Sequence, residues 1–233
     1  MYSKPQKLIA EFIGTFMLIF CGVGSICADQ FLRSGSNGQN GVGLLGIALA
    51  HGLAIGIMVT ALGHISGGHF NPAVTIGFWV TKKLSTLDSL LYWVAQLAGG
   101  AAAAYILRRL PVEVWGPAQL GTPDLASGIS RANGMLFEGI MTFFLVLVVF
   151  ATAVDERGAF DKVAGFAIGL TISACALFGG PFTGAALNPA RAFGPALAAS
   201  HWNNHGVYWV GPLAGGFLAG WLYNTLYLSK KSA

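Results

Sequence analysis

Two segments of this 233-residue chain set an Asn-Pro-Ala triplet behind a short run of small residues, 117 positions apart. They are Ser66-Gly67-Gly68-His69-Phe70-Asn71-Pro72-Ala73 and Thr183-Gly184-Ala185-Ala186-Leu187-Asn188-Pro189-Ala190. Asparagine is a favoured helix N-cap and proline suits the first helical position, so each triplet predicts a helix start. The cap occupies the asparagine oxygen and leaves its NH2 group to point elsewhere. About ten mostly apolar residues follow each triplet, roughly 15 Å of helix and half the thickness of a bilayer core. Two such half-helices, entering from opposite faces, would meet with their positive ends and two amide donors at the centre. Gly67, Gly68, His69 and Phe70, like Gly184, Ala185 and Ala186, are expected as extended backbone with exposed carbonyls. Irregular backbone at that depth is tolerated only where it lines a water-filled cavity or is buried in protein.

Three further kinds of polar residue fall in apolar surroundings. Arg191 directly follows the second triplet, where a charge costs several kcal/mol unless water or backbone carbonyls solvate it. A pore-lining donor that repels cations accounts for it better than a structural ion pair. Glu11 and Glu138 are intramembrane acids at matching positions. Viewed alone, they suit either a proton-coupled carrier or acceptors that hold the re-entrant loops by their N–H groups. His51, on an apolar span, either bonds a neighbouring helix or lines a pore. His64 and His69 flank the first loop as braces, His201 and His205 read as loop residues at the membrane edge, and no metal-ligand arrangement is present.

These residues need a membrane scaffold, and the composition supplies one. The chain is 55% hydrophobic and 9% charged, with mean hydropathy +0.65, far from the roughly 25% charged residues of a soluble domain. Apolar stretches long enough to cross a bilayer run near 8–28, 44–64, 87–107, 134–154 and 207–228, with a shorter sixth near 162–178. The first is expected to be a retained helix, not a signal peptide. Six spans put both termini on one side. With the termini in the cytoplasm, Lys4, Lys7, Lys82, Lys83, Arg157, Lys162, Lys230 and Lys231 fall inside, and Arg33, Arg108, Arg109 and Arg131 outside. This distribution obeys the positive-inside rule. The expectation is therefore a multi-pass protein of the plasma (cell inner) membrane with cytoplasmic termini, and the net charge of +4 gives no reason to expect a nucleic-acid partner. Cys21, Cys27 and Cys175 are expected to be buried thiols.

The two halves repeat. Ala10-Glu11-Phe12-Ile13-Gly14-Thr15-Phe16 echoes Phe137-Glu138-Gly139-Ile140-Met141-Thr142-Phe143, and Gly52/Gly56 echoes Gly165/Gly169. The segments Tyr92–Gly100 and Tyr208–Gly216 agree at seven of nine positions. Three spans per half is an odd number, so the second half must be inverted, an arrangement that places functional sites near the midplane. The expected organisation is one channel domain over 1–233. Its repeats cover approximately 1–110 and 130–233, joined by a loop at 108–133 that could fold over the outer mouth. The paired glycines read as close helix crossings.

Glu11-x-x-Gly14-Thr15, His64 through Thr75, and Asn188-Pro189-Ala190-Arg191-Ala192-Phe193-Gly194-Pro195 resemble the aquaporins, or major intrinsic proteins, and the resemblance covers essentially the whole chain. It implies an all-α membrane fold, a right-handed bundle of six transmembrane helices plus two re-entrant half-helices, assembled as homotetramers with one pore per subunit. It also implies a narrow filter made by His51, Ala176, Ala185 and Arg191, and a loop-bracing role for Glu11 and Glu138. With histidine on the second span and alanine on the fifth, the filter is similar to those of tonoplast intrinsic proteins and ammonia-conducting animal aquaporins. Ala176 departs from the isoleucine more usual there. Glycerol conductors carry Asp after the filter arginine and lack the aromatic pair opening the last span; Ala192 and Tyr208-Trp209 are of the water-channel type.

The reading is a passive water channel that excludes protons and ions, with ammonia and hydrogen peroxide as compatible additional permeants. It catalyses no reaction and needs no cofactor. The rivals are an aquaglyceroporin-like facilitator and a proton-coupled transporter using Glu11 and Glu138. An intramembrane enzyme would need a nucleophile with a base or clustered metal ligands.

Overall fold

The computed structural model describes residues 2–157 and 163–228. Lys162, Lys230 and Lys231, three of the basic residues used for orientation, lie outside them, as does the start of the stretch 162–178. The described residues form eight principal helices in two sets of four. They are α1 (Lys4–Gly35), α2 (Gly43–Ser66), α3 (Pro72–Val80), α4 (Thr86–Leu107), α5 (Arg131–Val154), α6 (Ala164–Thr183), α7 (Pro189–Ala199) and α8 (Val207–Tyr223). A π-helical segment, Asn224–Leu228, continues α8, and others interrupt α1 at Leu18–Val23 and end α5 at Phe150–Val154. Helices α1, α2, α4, α5 and α6 are each long and apolar enough to cross a membrane. With its π-helical extension, α8 makes the sixth span, while α3 and α7 are half-helices.

One boundary differs from the expectation. The fifth span does not stop near 178 but runs to Thr183, carrying Pro181 inside the helix. Its terminator is Gly184, left-handed at φ 80°, as Gly67 at φ 94° terminates α2. Glycine bears that conformation without the Cβ clash that penalises other residues.

Each half-helix packs against the opposite half: α3 lies on α8 and α7 on α4. The contacts are backbone to backbone. A Cβ added at Gly216 would strike the carbonyl of Ala73, and one at Gly100 would come within 2.9 Å of the carbonyl of Ala190. Helices α2 and α6 cross through Gly52, Gly56, Gly165 and Gly169 in the same way. Small residues at a crossing let packing and dispersion replace the hydrophobic drive that lipid removes. The interlocked halves therefore fix where the two triplets meet.

Candidate channel site

The two loops are pinned by matching hardware. Glu11, fully buried, accepts hydrogen bonds from the Ser66 hydroxyl (2.7 Å), the backbone N–H groups of His69 (3.0 Å) and Phe70 (2.6 Å), and Gln96 Nε2 (2.8 Å). Glu138, also fully buried, accepts from the Thr183 hydroxyl (2.7 Å) and the N–H groups of Ala186 (2.9 Å) and Leu187 (2.8 Å). Tyr92 and Tyr208 donate their hydroxyls to the carbonyls of Ser66 and Thr183, each at 2.8 Å. A buried carboxylate is tolerated when its acceptor sites are met by donors. These two meet loop N–H groups that would otherwise be orphaned, and neither acid borders the narrow cavity beside the asparagines or the vestibule outside it.

The loops are not simply extended. Gly67, Gly68 and Phe70 in the first, and Gly184, Ala185 and Leu187 in the second, all have positive φ. In this conformation the N–H groups of His69 and Phe70 reach Glu11, and those of Ala186 and Leu187 reach Glu138. Side chains at Phe70, Ala185 and Leu187 hold a conformation costing of order 1 kcal/mol or more each, offset by the hydrogen bonds just described.

Both asparagines cap as expected. Asn71 Oδ1 accepts from the Ala73 N–H at 2.8 Å, and Asn188 Oδ1 from the N–H groups of Ala190 (2.9 Å) and Arg191 (3.2 Å). Their NH2 groups are not wholly free, however. Asn71 Nδ2 donates to the Leu187 carbonyl and Asn188 Nδ2 to the Phe70 carbonyl, both at 2.9 Å. Each amide has two hydrogens, so one ties the opposite loop and one remains. Pro72, Ala73, Pro189 and Ala190 are buried in the first turns of α3 and α7. Phe70 is a correction: its ring packs on Gly14, and its carbonyl serves Asn188 and Thr15 instead of a cavity. Gly67 likewise serves as a helix cap and does not border the narrow cavity beside the asparagines. The His69 side chain is a brace, bonded to Thr75 Oγ1 at 3.1 Å and stacked on Phe78.

The asparagines face a narrow cavity of about 30 Å3, measured for the centre of a water molecule. Gly68, His69, Ala185 and Ala186 border it on the loop side, with Leu18, Val74, Leu145, Ile168 and Ile172 forming an apolar wall. Outside it lies a vestibule of about 310 Å3 on the same measure, bordered by Ala176, Gly184 and the loop residues Gly121 to Asp124. His51, Ala185 and Arg191 border both spaces, and Ala176 borders the vestibule alone.

Arg191 is 3% exposed. Its Nη1 donates to the Gly121 carbonyl at 2.9 Å and its Nη2 to His51 Nε2 at 3.3 Å, while its Nε–H is buried without a protein acceptor. His51 Nδ1 lies 2.9 Å from the Ile47 carbonyl. The ring must therefore donate at Nδ1 and accept at Nε2, which makes it neutral.

The loop joining the halves, unplaced by sequence, does cover the outer mouth. It carries a short helix at Val112–Trp115 and a tight turn at Gln119–Gly121 that delivers the Gly121 carbonyl. Asp124 anchors it, accepting from Asn204 Nδ2 at 2.8 Å and bonding His201 Nε2 at 3.0 Å. Partial burial pushes the Asp124 carboxyl up, but hydrogen bonds from Asn204, His201 and the Leu125 N–H outweigh it and hold the group below the usual carboxylate range. His201 is thus more than a plain loop residue. Burial pushes His205 down; its Nε2 accepts from Trp209 Nε1 at 3.0 Å. Of the thiols, Cys27 is buried while Cys21 and Cys175 are only partly so, and all three are free. Gly121 and Asp124 have no signal in the motifs, and the motif residues Ser66 and Thr183 and the repeated Tyr92 and Tyr208 take bonding roles at the loops that the motifs alone do not state. The tyrosines and the Ser66/Thr183 pair recur in both repeats and could have been found there.

A family model described as "Major intrinsic protein" matches residues 2–223. Among curated proteins, Aquaporin TIP4-4 of Zea mays is 45% identical over 97% of this chain and 88% of its own length. Aquaporin TIP2-1 of Arabidopsis thaliana is 43% identical over 98% of this chain and 90% of its own. Among solved structures, the aquaglyceroporin from Plasmodium falciparum superposes with a TM-score of 0.84 at 25% identity, covering 96% of this chain and 97% of that one. The matched length, the fold and the paired loops agree: this chain belongs to the major intrinsic protein family.

Proposed function

We propose that this protein is a passive water channel whose narrowest point is formed by His51, Ala176, Ala185 and Arg191. The observation that carries the reading is the water-sized cavity between that point and two asparagine amides presented from opposed half-helices. A water entering past Arg191 meets donors from the arginine and then from both asparagines, among lining residues that are otherwise largely apolar. Asparagine donors in a largely apolar lining orient a file of water so that its oxygens face the asparagines, which interrupts a proton relay. The Arg191 charge and the two half-helix N-termini raise the barrier to cations and protons.

The relatives' names support water as the permeant. The two alanines leave the filter compatible with ammonia and hydrogen peroxide, whereas Ala192 and Tyr208-Trp209 speak against glycerol as the main solute. The carrier reading loses its support because Glu11 and Glu138 are engaged by loop donors and border neither the narrow cavity nor the vestibule. A channel of this kind catalyses nothing. The whole chain acts as one channel domain with repeats at approximately 1–110 and 130–233, assembled as a homotetramer in the bilayer. Both termini face the cytoplasm on the count of basic residues. The plasma membrane expected from sequence finds no support in relatives of TIP type, and fractionation decides the host membrane. Stopped-flow shrinkage of proteoliposomes in an impermeant osmolyte, run beside a methylammonium gradient, tests the function. Fast shrinkage is expected, with methylammonium flux altered by His51→Phe; shrinkage no faster than empty liposomes contradicts it.

A further inference from the structure

The filter histidine is seated by a residue on a different span. Leu18, Gly22 and Ile26 recur every four positions along α1, across its π-helical segment. Leu18 borders the narrow cavity and Ile26 the outer vestibule. Between them Gly22, buried, meets the His51 ring: a Cβ added there would lie 2.7 Å from Cδ2 and 2.9 Å from both Cγ and Nε2. Three nearly equal distances to ring atoms mean that the glycine backbone lies against the face of the imidazole. The ring is held at its edges as well, by the Ile47 carbonyl at Nδ1 and Arg191 Nη2 at Nε2. Only the missing side chain at position 22 leaves room for that seat. The same stretch of α1 lies beside the other partner of Arg191, since a Cβ added at Gly121 would come within 2.9 Å of Ile26 and 3.1 Å of Val23.

We propose that Gly22 is a specificity-determining residue of the channel: it sets the position of His51, and with it the filter width, without touching the permeant. The proposal rests on the filter reading above. Carbon atoms in contact sit about 3.5–4.0 Å apart, so a methyl at position 22 must displace the ring by about 1 Å. Leaning away from α1, the imidazole either enters the lumen or loses its 3.3 Å contact with Arg191. Both change which solutes pass.

The test is a four-member set in proteoliposomes: the parent, Gly22→Ala, His51→Ala and the double variant. Water and methylammonium permeabilities are each measured per folded channel. Gly22→Ala is expected to change the methylammonium-to-water ratio by at least about twofold, the lower end of coupling for residues in contact. In the His51→Ala background the same substitution is expected to have no effect on the ratio. An unchanged ratio in Gly22→Ala overturns the proposal, as does an equal change in both backgrounds, which would make Gly22 a general packing residue. If Gly22→Ala fails to fold, the double variant decides: it should fold as well as His51→Ala, and misfolding overturns the proposal. A ratio unmoved by His51→Ala overturns the filter reading itself, and this inference with it.

Discussion

Removing the Glu138 carboxylate separates a scaffold from a proton carrier. Its Oε1 accepts from Thr183 and the Ala186 N–H, and its Oε2 from the Leu187 N–H. In Glu138→Ala the Thr183 hydroxyl can turn to the Gly179 carbonyl, already 3.4 Å away, but the two backbone N–H groups are stranded. At about 1–3 kcal/mol for each buried unsatisfied group the loss is about 2–6 kcal/mol, a large share of the roughly 5–15 kcal/mol that holds a fold together. For a chain of this size that lowers the unfolding midpoint by about 4–24 °C. Glu138→Gln keeps one acceptor oxygen and turns an NH2 group toward one N–H, so one group is stranded, at about 1–3 kcal/mol. Thermal unfolding in detergent, read by tryptophan fluorescence, should rank parent, glutamine and alanine in that order. Water flux per folded channel should survive in Glu138→Gln. Alanine unfolding within 2 °C of the parent, below the smallest of these shifts, would refute the reasoning. So would a glutamine variant of unchanged stability that transports nothing, because proton chemistry at Glu138 would then be essential.

The remaining expectations follow from the same geometry. Arg191→Val removes the charge at the constriction and leaves the Gly121 carbonyl unpaired; proton leak in a pH-gradient dye assay should rise from background. Asp124 is held below its ordinary value of about 3.9, so it contributes stability present above that pH and lost as pH falls through its lower folded value. Proteolysis of the 108–133 loop should therefore accelerate as pH drops below about 4 in the parent, and this acid-dependent step should be absent in Asp124→Asn. Gly216→Ala drives a methyl into the Ala73 carbonyl and should lower folded yield, by the about 1–3 kcal/mol typical of overpacking or more. Gly35→Ala, with nothing within 4 Å, is the neutral control.

Much of this was legible because the membrane makes polar residues scarce. Asn71 and Asn188 announced their caps, and the repeat singled out Glu11 and Glu138 as a pair, because a buried acid or amide has few allowed explanations there. What stayed hidden was how one group is shared between distant segments. Nothing local to Gly121 predicts that its carbonyl will solvate Arg191, seventy residues away, since any residue carries a carbonyl. Nothing in Gly22 identifies His51 as its neighbour. The bond from each asparagine NH2 group to the opposite loop is hidden for a similar reason: the cap is a local rule, whereas that bond exists only once both halves interlock. The apolar stretch near 162–178 ends ahead of a Gly-Gly-Pro run, so hydropathy alone does not carry the span to its true end. In the fold, α6 continues through Pro181 to the left-handed Gly184.

The most direct test of the central claim is osmotic shrinkage of proteoliposomes containing the folded protein, recorded with an internal pH dye. The account predicts rapid shrinkage, unsaturated as the gradient rises and independent of any imposed pH difference, with the internal pH unchanged. Shrinkage at the rate of empty liposomes, or water flux that carries protons with it, would contradict it.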